Sequence, residues 1–270
     1  MPSRLETDML KVVVFSIRQF PGDPFFMLVI GIETSGVNGS VALNRDGVCL
    51  QSASLQKAGQ RHAQSLVSEI RELLRGQGAT PRDVSAVAVS RGPGSFTGLR
   101  VGVVCAKTFA YATPCQFVAV DTFAAVAMNC PKETRDVWIV EDAQRGDLFA
   151  GRYVRELDGR WIQTEPIQVV AADEWLAARQ PNETVTGRGL NRCDLSSVEA
   201  ACLTDDSMVI PTASAIAELG RLRLQQPSTN SSETDLNFWE AVPFYIRPSA
   251  AEEQRERAGR PQRDGQSGPG

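Results

Sequence analysis

The stretch Arg91-Gly92-Pro93-Gly94-Ser95-Phe96-Thr97-Gly98-Leu99-Arg100-Val101-Gly102 follows an apolar run at residues 84–90 and leads into a segment of helical periodicity. It therefore reads as strand, glycine-rich turn, helix. Glycine tolerates positive φ and lets other backbone approach closely, which suits a tight turn. Such a turn also presents N–H groups at a helix start, where the helix dipole favours an anion. Gly92, Gly94, Ser95 and Thr97 are accordingly candidates for an anion or nucleotide loop, beside the plainer reading as a turn. The stretch is not a Walker A motif, because Leu99-Arg100 stands where Gly-Lys-Ser/Thr is required. Without that lysine to reach the outer phosphates, autonomous ATP hydrolysis is not expected.

Working outward, Leu28-Val29-Ile30-Gly31-Ile32 reads as a buried strand, and a turn at 36–39 leads to a second strand at 40–43. Asp46-Gly47 is a hairpin signal into a third strand at 48–55. A helix over 61–75 places Ala63, Leu66, Val67, Ile70, Leu73 and Leu74 on one face. After the glycine turn a helix over about 98–112 precedes a strand at 116–120, and Asp121 can cap a short helix. Strands follow at 137–140, 148–155, 161–170 and 184–186, and a late helix runs from 212 or 214 to 224. A three-stranded meander followed by alternating helices and strands, twice over, predicts an α/β fold of two duplicated lobes.

The chain of 270 residues is 42% hydrophobic and carries 28 basic against 32 acidic residues. That net charge of −4 excludes a protein that grips RNA unaided through a basic excess. The six cysteines are scattered without a C-x-x-C pair, which predicts reduced thiols acting as small hydrophobes in a cytoplasmic protein. No segment has the length of a signal-peptide core or a membrane span. Residues 1–26 read as an extension, with Met27 a second candidate start, and residues 251–270 as a polar tail too poor in apolar side chains to order itself.

The helix after the glycine turn carries Gly98, Gly102, Ala106 and Ala110 every four residues. A stripe of small residues lets a neighbouring helix approach closely, so it is a candidate interface; packing on the chain's own sheet explains the pattern equally well.

Residues 91–100 resemble the hallmark of the TsaB (YeaZ) family, actin-like proteins of the sugar kinase/Hsp70/actin superfamily. The opening strands with Glu33-Thr34-Ser35, the run Gln60-Arg61-His62-Ala63-Gln64, the segment at 141–149 and the closing Pro243-Phe244-Tyr245-Ile246-Arg247 are similar to the family's in order. Glu33 stands where the family usually has Asp, and Gln144 where it has Arg. The resemblance implies a two-lobed actin-like fold, each lobe a mixed sheet with flanking helices. It places a first lobe at 27–125 with a return helix at about 212–225, a second lobe at 126–211 and a closing segment at 226–250.

What the resemblance implies about function is a non-catalytic subunit. It would pair with the catalytic TsaD in making N6-threonylcarbamoyladenosine in tRNA, recruit the ATPase TsaE, contact tRNA through the complex and form a homodimer when alone. It would hold no cofactor of its own, with ATP and a metal on partner subunits. TsaD binds metal through a His-x-x-x-His helix, and this chain has a single histidine, His62, so that pair cannot form. No Ser or Cys nucleophile signature accompanies His62. The first two helices are the implied pairing surface, through Arg61, His62, Leu66, Phe96, Gly98, Arg100, Gly102, Ala106 and Ala110. The alternative is an autonomous actin-like ATPase or kinase using the glycine loop.

Overall fold

The computed structural model describes residues 26–56, 62–196, 198–225 and 241–244, with the side chains of 62–64 left undescribed. The extension up to residue 25, the closing segment other than 241–244 and the tail at 251–270 lie outside the described residues.

The described residues form two five-stranded sheets of the same topology. In the first, β1 (Leu28–Glu33) pairs antiparallel with β2 (Ser40–Arg45), which pairs antiparallel with β3 (Val48–Ser54). On its other side β1 pairs parallel with β4 (Ala86–Ser90), and β4 pairs parallel with β5 (Gln116–Val120). The crossovers are α1 (His62–Gly76) and α2 (Phe96–Ala112). The second sheet repeats this order: β6 (Asp136–Gln144), β7 (Asp147–Arg155) and β8 (Trp161–Ala171) form the meander. There β9 (Thr184–Thr186) lies parallel to β6, and β10 (Ala201–Leu203) parallel to β9. The predicted duplication is visible strand for strand. β10, α4 (Ala172–Ala177) and α5 (Asp206–Val209) are too short to leave a periodic signal, and the sequence reading lacks all three.

Alternation along β1 sorts two cores. Leu28, Ile30 and Ile32 join Leu66, Ile70, Leu73 and Leu74 of α1 and Val103 and Ala106 of α2 on one face. Val29 on the other face joins Ala215, Ile216 and Ala217 of α6 (Ala213–Gln225). Gly31 also faces α6, where a Cβ would overlap the Ala213 carbonyl. The late helix thus returns to the first sheet. In reciprocal fashion α3 (Thr122–Ala127) puts Phe123, Val126 and Ala127 against Val137, Ile139 and Tyr153 of the second sheet. A boundary at 125/126 therefore cuts through α3, whose Ala125 sits in the first-lobe core while its neighbours sit in the second. Each lobe is closed by a helix that follows the other lobe's last strand.

Gly31→Ala should destabilise the chain by about 1–3 kcal/mol, because the added methyl has no room between β1 and the α6 backbone. Urea unfolding followed by circular dichroism measures this, with an unchanged slope expected if only stability is affected.

The glycine loop, the lobe junction and the helical face

Ser90 ends β4, and the loop that follows is held by its own neighbours. The Gly92 N–H donates to the Thr122 hydroxyl at 3.1 Å, and the Ser95 N–H to the Ser35 carbonyl at 2.6 Å. Ser95 caps α2, its hydroxyl accepting from the Gly98 N–H at 3.3 Å. The Phe244 N–H donates to the Arg91 carbonyl at 2.6 Å, and the Arg91 guanidinium lies over the Phe244 ring. Part of the closing motif, Pro243-Phe244, is thereby placed beside the glycine loop; Tyr245 to Arg247 lie outside the described residues. Gly92 and Gly94 both have positive φ, 120° and 156°, and a Cβ on Gly94 would press on the Ser35 backbone. Of the four candidate loop residues, Gly92 and Ser95 spend their N–H groups within the fold, Gly94 serves the turn, and Thr97 is exposed in the first turn of α2. Backbone conformation and these contacts account for Gly92 and Gly94 as requirements of the turn.

The small stripe of α2 is corrected by the structure. A Cβ on Gly98 would overlap the Thr34 carbonyl, and one on Gly102 would overlap the Thr34 hydroxyl. Ala106 is fully buried in the first core, and Ala110 is half-buried against it. Leu66 of α1 is equally buried. Gly98, Gly102, Ala106 and Leu66 therefore face their own sheet and are closed to a partner. Periodicity identified the stripe, but it cannot tell which surface a stripe meets, and here the end of β1 fills it. Arg61 lies outside the described residues, and His62 opens α1.

The outward face of α1 and α2 carries different residues. Val67 is 68% exposed, Val104 62% and Tyr111 73%. The sequence pattern placed Val67 in the buried stripe, yet it sits one residue past Leu66, about 100° around the helix, and turns outward. Arg100 is exposed in the same helix as Val104, its guanidinium 3.9 Å over the half-buried Phe96 ring. Of the predicted interface, Arg100 and Phe96 remain at this face; Val67, Val104 and Tyr111 join them, and the signal that marks them is apolar residues left off the buried stripe.

Between the lobes lies a polar cluster. Glu33 at the end of β1 is almost fully buried, one carboxylate oxygen accepting from the Ser35 N–H at 2.5 Å and the other without a hydrogen-bond partner. Burial raises its pKa above the ordinary carboxylate value, opposed by hydrogen bonds from Ser35 and Ser90 and by the charge of Arg188. Asp121 caps α3 by accepting from the Phe123 N–H at 2.8 Å and accepts from the buried Tyr153 hydroxyl. Burial raises the Asp121 pKa as well, and burial with the neighbouring Asp121 charge pushes Tyr153 well above its ordinary value. All six cysteines are free: Cys115 and Cys130 are buried, whereas Cys49 is exposed and is no core residue. Among the described residues no three His, Cys, Asp or Glu side chains form a group suited to a metal ion, and no helix is long and apolar enough to cross a membrane.

Two duplicated lobes of this topology, closed by exchanged helices around a polar junction, define an actin-like protein. The family model for "TsaD: tRNA N6-adenosine threonylcarbamoyltransferase" matches residues 54–185. The chain is 26% identical over 232 residues to the tRNA threonylcarbamoyladenosine biosynthesis protein TsaB of Escherichia coli, a match spanning 83% of this chain and 96% of that one. It is 29% identical over 150 residues to TsaB of Bacillus subtilis, covering 56% of this chain and 65% of that protein. In structure it matches YeaZ from Pseudomonas aeruginosa with a TM-score of 0.68 at 23% identity, over 81% of this chain and 99% of that one. The chain is thus a homologue of the TsaB (YeaZ) proteins and shares their fold.

The packing of Gly102 and the burial of Glu33 each have a measurable consequence. Gly102→Leu should destabilise the isolated chain by at least about 1–3 kcal/mol, because the side chain would be driven into Thr34 and Val89; thermal unfolding of the purified variant measures it. Glu33, with its folded pKa raised, favours the folded state below its unfolded value of about 4.5, and that contribution is lost as pH rises through the folded pKa. Glu33→Gln should therefore gain stability relative to the parent as pH rises from about 4 toward 8, a trend that urea titrations across roughly that range would read directly.

Proposed function

We propose that this chain is the non-catalytic subunit that pairs with a TsaD-type threonylcarbamoyltransferase in making N6-threonylcarbamoyladenosine in tRNA. The observation that carries this reading is the relationship to TsaB along nearly the whole of the Escherichia coli protein. The outward face of α1 and α2, with Val67, Val104 and Tyr111 exposed around Arg100, supplies a surface for TsaD. Exposed apolar and aromatic residues next to an arginine are the composition of an interface centre. The single histidine supports a reading in which metal and chemistry belong to TsaD, and the missing Walker lysine one in which ATP turnover belongs to a TsaE-type ATPase. The net charge of −4 supports a reading in which the partners make most of the tRNA contact, in the cytoplasm. When TsaD is absent the same face serves a homodimer.

Val104→Asp and Tyr111→Ala should each weaken binding to the TsaD protein of the same cell by about tenfold or more while the fold is retained, since both side chains are exposed in the free chain. Titration calorimetry against TsaD gives the affinity and circular dichroism the fold. Parent-like affinity in both variants would remove α1 and α2 from the interface, and failure of the parent chain to bind TsaD would remove the proposed role.

A further inference from the structure

One charged side chain of the second lobe reaches across the junction to the first. Arg188 opens the short 3-10 helix Arg188–Arg192 that follows β9 in the second lobe. Its guanidinium forks onto one oxygen of Glu141 in β6, Nε at 2.9 Å and Nη2 at 2.7 Å, and both side chains are largely buried. From there it reaches the first lobe. Gly36, in the turn between β1 and β2, lies so close to the guanidinium that a Cβ on it would overlap Nη1 and sit 2.7 Å from Nη2. The same turn begins at Glu33, Thr34 and Ser35, all buried, and the second Glu33 oxygen and the Ser35 hydroxyl have no protein partner.

We propose that Arg188 is an interlobe latch: anchored on Glu141 in the second lobe and seated on the Gly36 turn of the first, it fixes the spacing between the two lobes. Three features converge on this role. Arginine offers a flat, permanently charged fork that can bind a carboxylate along one edge and present a second edge to backbone. Glycine at position 36 is what allows the first-lobe turn to come within van der Waals contact of that second edge, at Nη1 and Nη2. The Arg188 charge also acts on buried Glu33, lowering its pKa against the effect of burial, so the guanidinium influences a carboxylate of each lobe. The remaining charged groups of the second lobe near this point are already engaged: Asp142 pairs with Arg192 at 3.0 Å, and Asp147 has its own partners. This inference is independent of the pairing with TsaD, since neither Arg188 nor Gly36 lies on α1 or α2.

The test is hydrogen–deuterium exchange of the full chain in three variants. Arg188→Ala should speed exchange of backbone amides at 34–40 by about tenfold or more, while β4 at 86–90 and β6 at 137–140 keep their protection. Millimolar methylguanidinium, which can refill the vacated place, should return most of that protection. Arg188→Lys keeps the charge without the fork and should give an intermediate effect; it also covers the case in which the alanine variant does not fold. Gly36→Ala, made in the other lobe, should speed exchange at 141–148 by forcing Arg188 off its seat. If Arg188→Lys and Gly36→Ala both leave exchange in the opposite lobe at the parent rate, Arg188 serves its own lobe only and the latch is overturned. It is equally overturned if the alanine variant folds and methylguanidinium fails to protect residues 34–40.

Discussion

The fold turns on how closely the end of β1 lies against α2. Thr34 presents its carbonyl to Gly98 and its hydroxyl to Gly102, at distances that no side chain on either helix position would permit. That contact sets the depth at which α2 lies on the sheet, and with it the burial of Leu99, Val103 and Ala106. Ser95 caps α2 with its hydroxyl while its N–H donates to the Ser35 carbonyl, so the glycine loop and the β1 turn are fixed together. The helix is therefore positioned from its first residue, and its outward face has a defined orientation. A close backbone approach of this kind cannot relax when a methylene is added, which is why the small residues here are structural requirements rather than free surface.

The second lobe uses the same strand order with different fastenings. In the first lobe the closing helix α6 lies against Gly31 and Gly220 faces Ala88, so small residues set the distance. In the second lobe α3 brings Phe123 and Val126, and the distance is set by bulky side chains and the Tyr153–Asp121 hydrogen bond. Trp138 meets Trp175 edge-on, the Arg179 guanidinium lies against both rings, and the Trp138 indole N–H donates to Glu183 at 2.9 Å. Two copies of one topology can thus be stabilised by unlike chemistry, because topology constrains the path of the backbone and only the packing distance must be matched.

Much of this was legible in the sequence. Apolar runs and turn signals marked β1 to β9, 3.6-residue periodicity marked α1, α2 and α6, and Asp121 announced the cap of α3. What escaped had physical reasons. β10 and α5 are three and four residues long, below the length at which periodicity can be read. The Gly98–Ala106 stripe was visible, but its partner is the end of β1, far earlier in the chain, and no local pattern records such a contact. The lobe junction was hidden for the same reason: Glu33, Glu141 and Arg188 are brought together only by the crossing of the chain between lobes. Val67 shows the limit from the other side, since a residue at the edge of an apolar stripe is assigned inward or outward by where the neighbouring helix happens to lie.

The buried polar groups between the lobes tie neighbouring elements together. Within the junction, Glu33 is bound by the backbone of its own turn, Glu141 by Arg188, and Asp121 by Tyr153 and the first turn of α3. Glu141 and Asp121 each hold one element against another, and releasing either would leave an uncompensated polar group in a largely buried place. A junction tied in this way restrains relative motion of the two lobes. Rigidity of that kind is useful for assembly: a face that is already ordered loses less conformational entropy when a partner lands on it. The apolar face of α1 and α2 is backed by the core of the first lobe and positioned by the glycine contacts at Thr34.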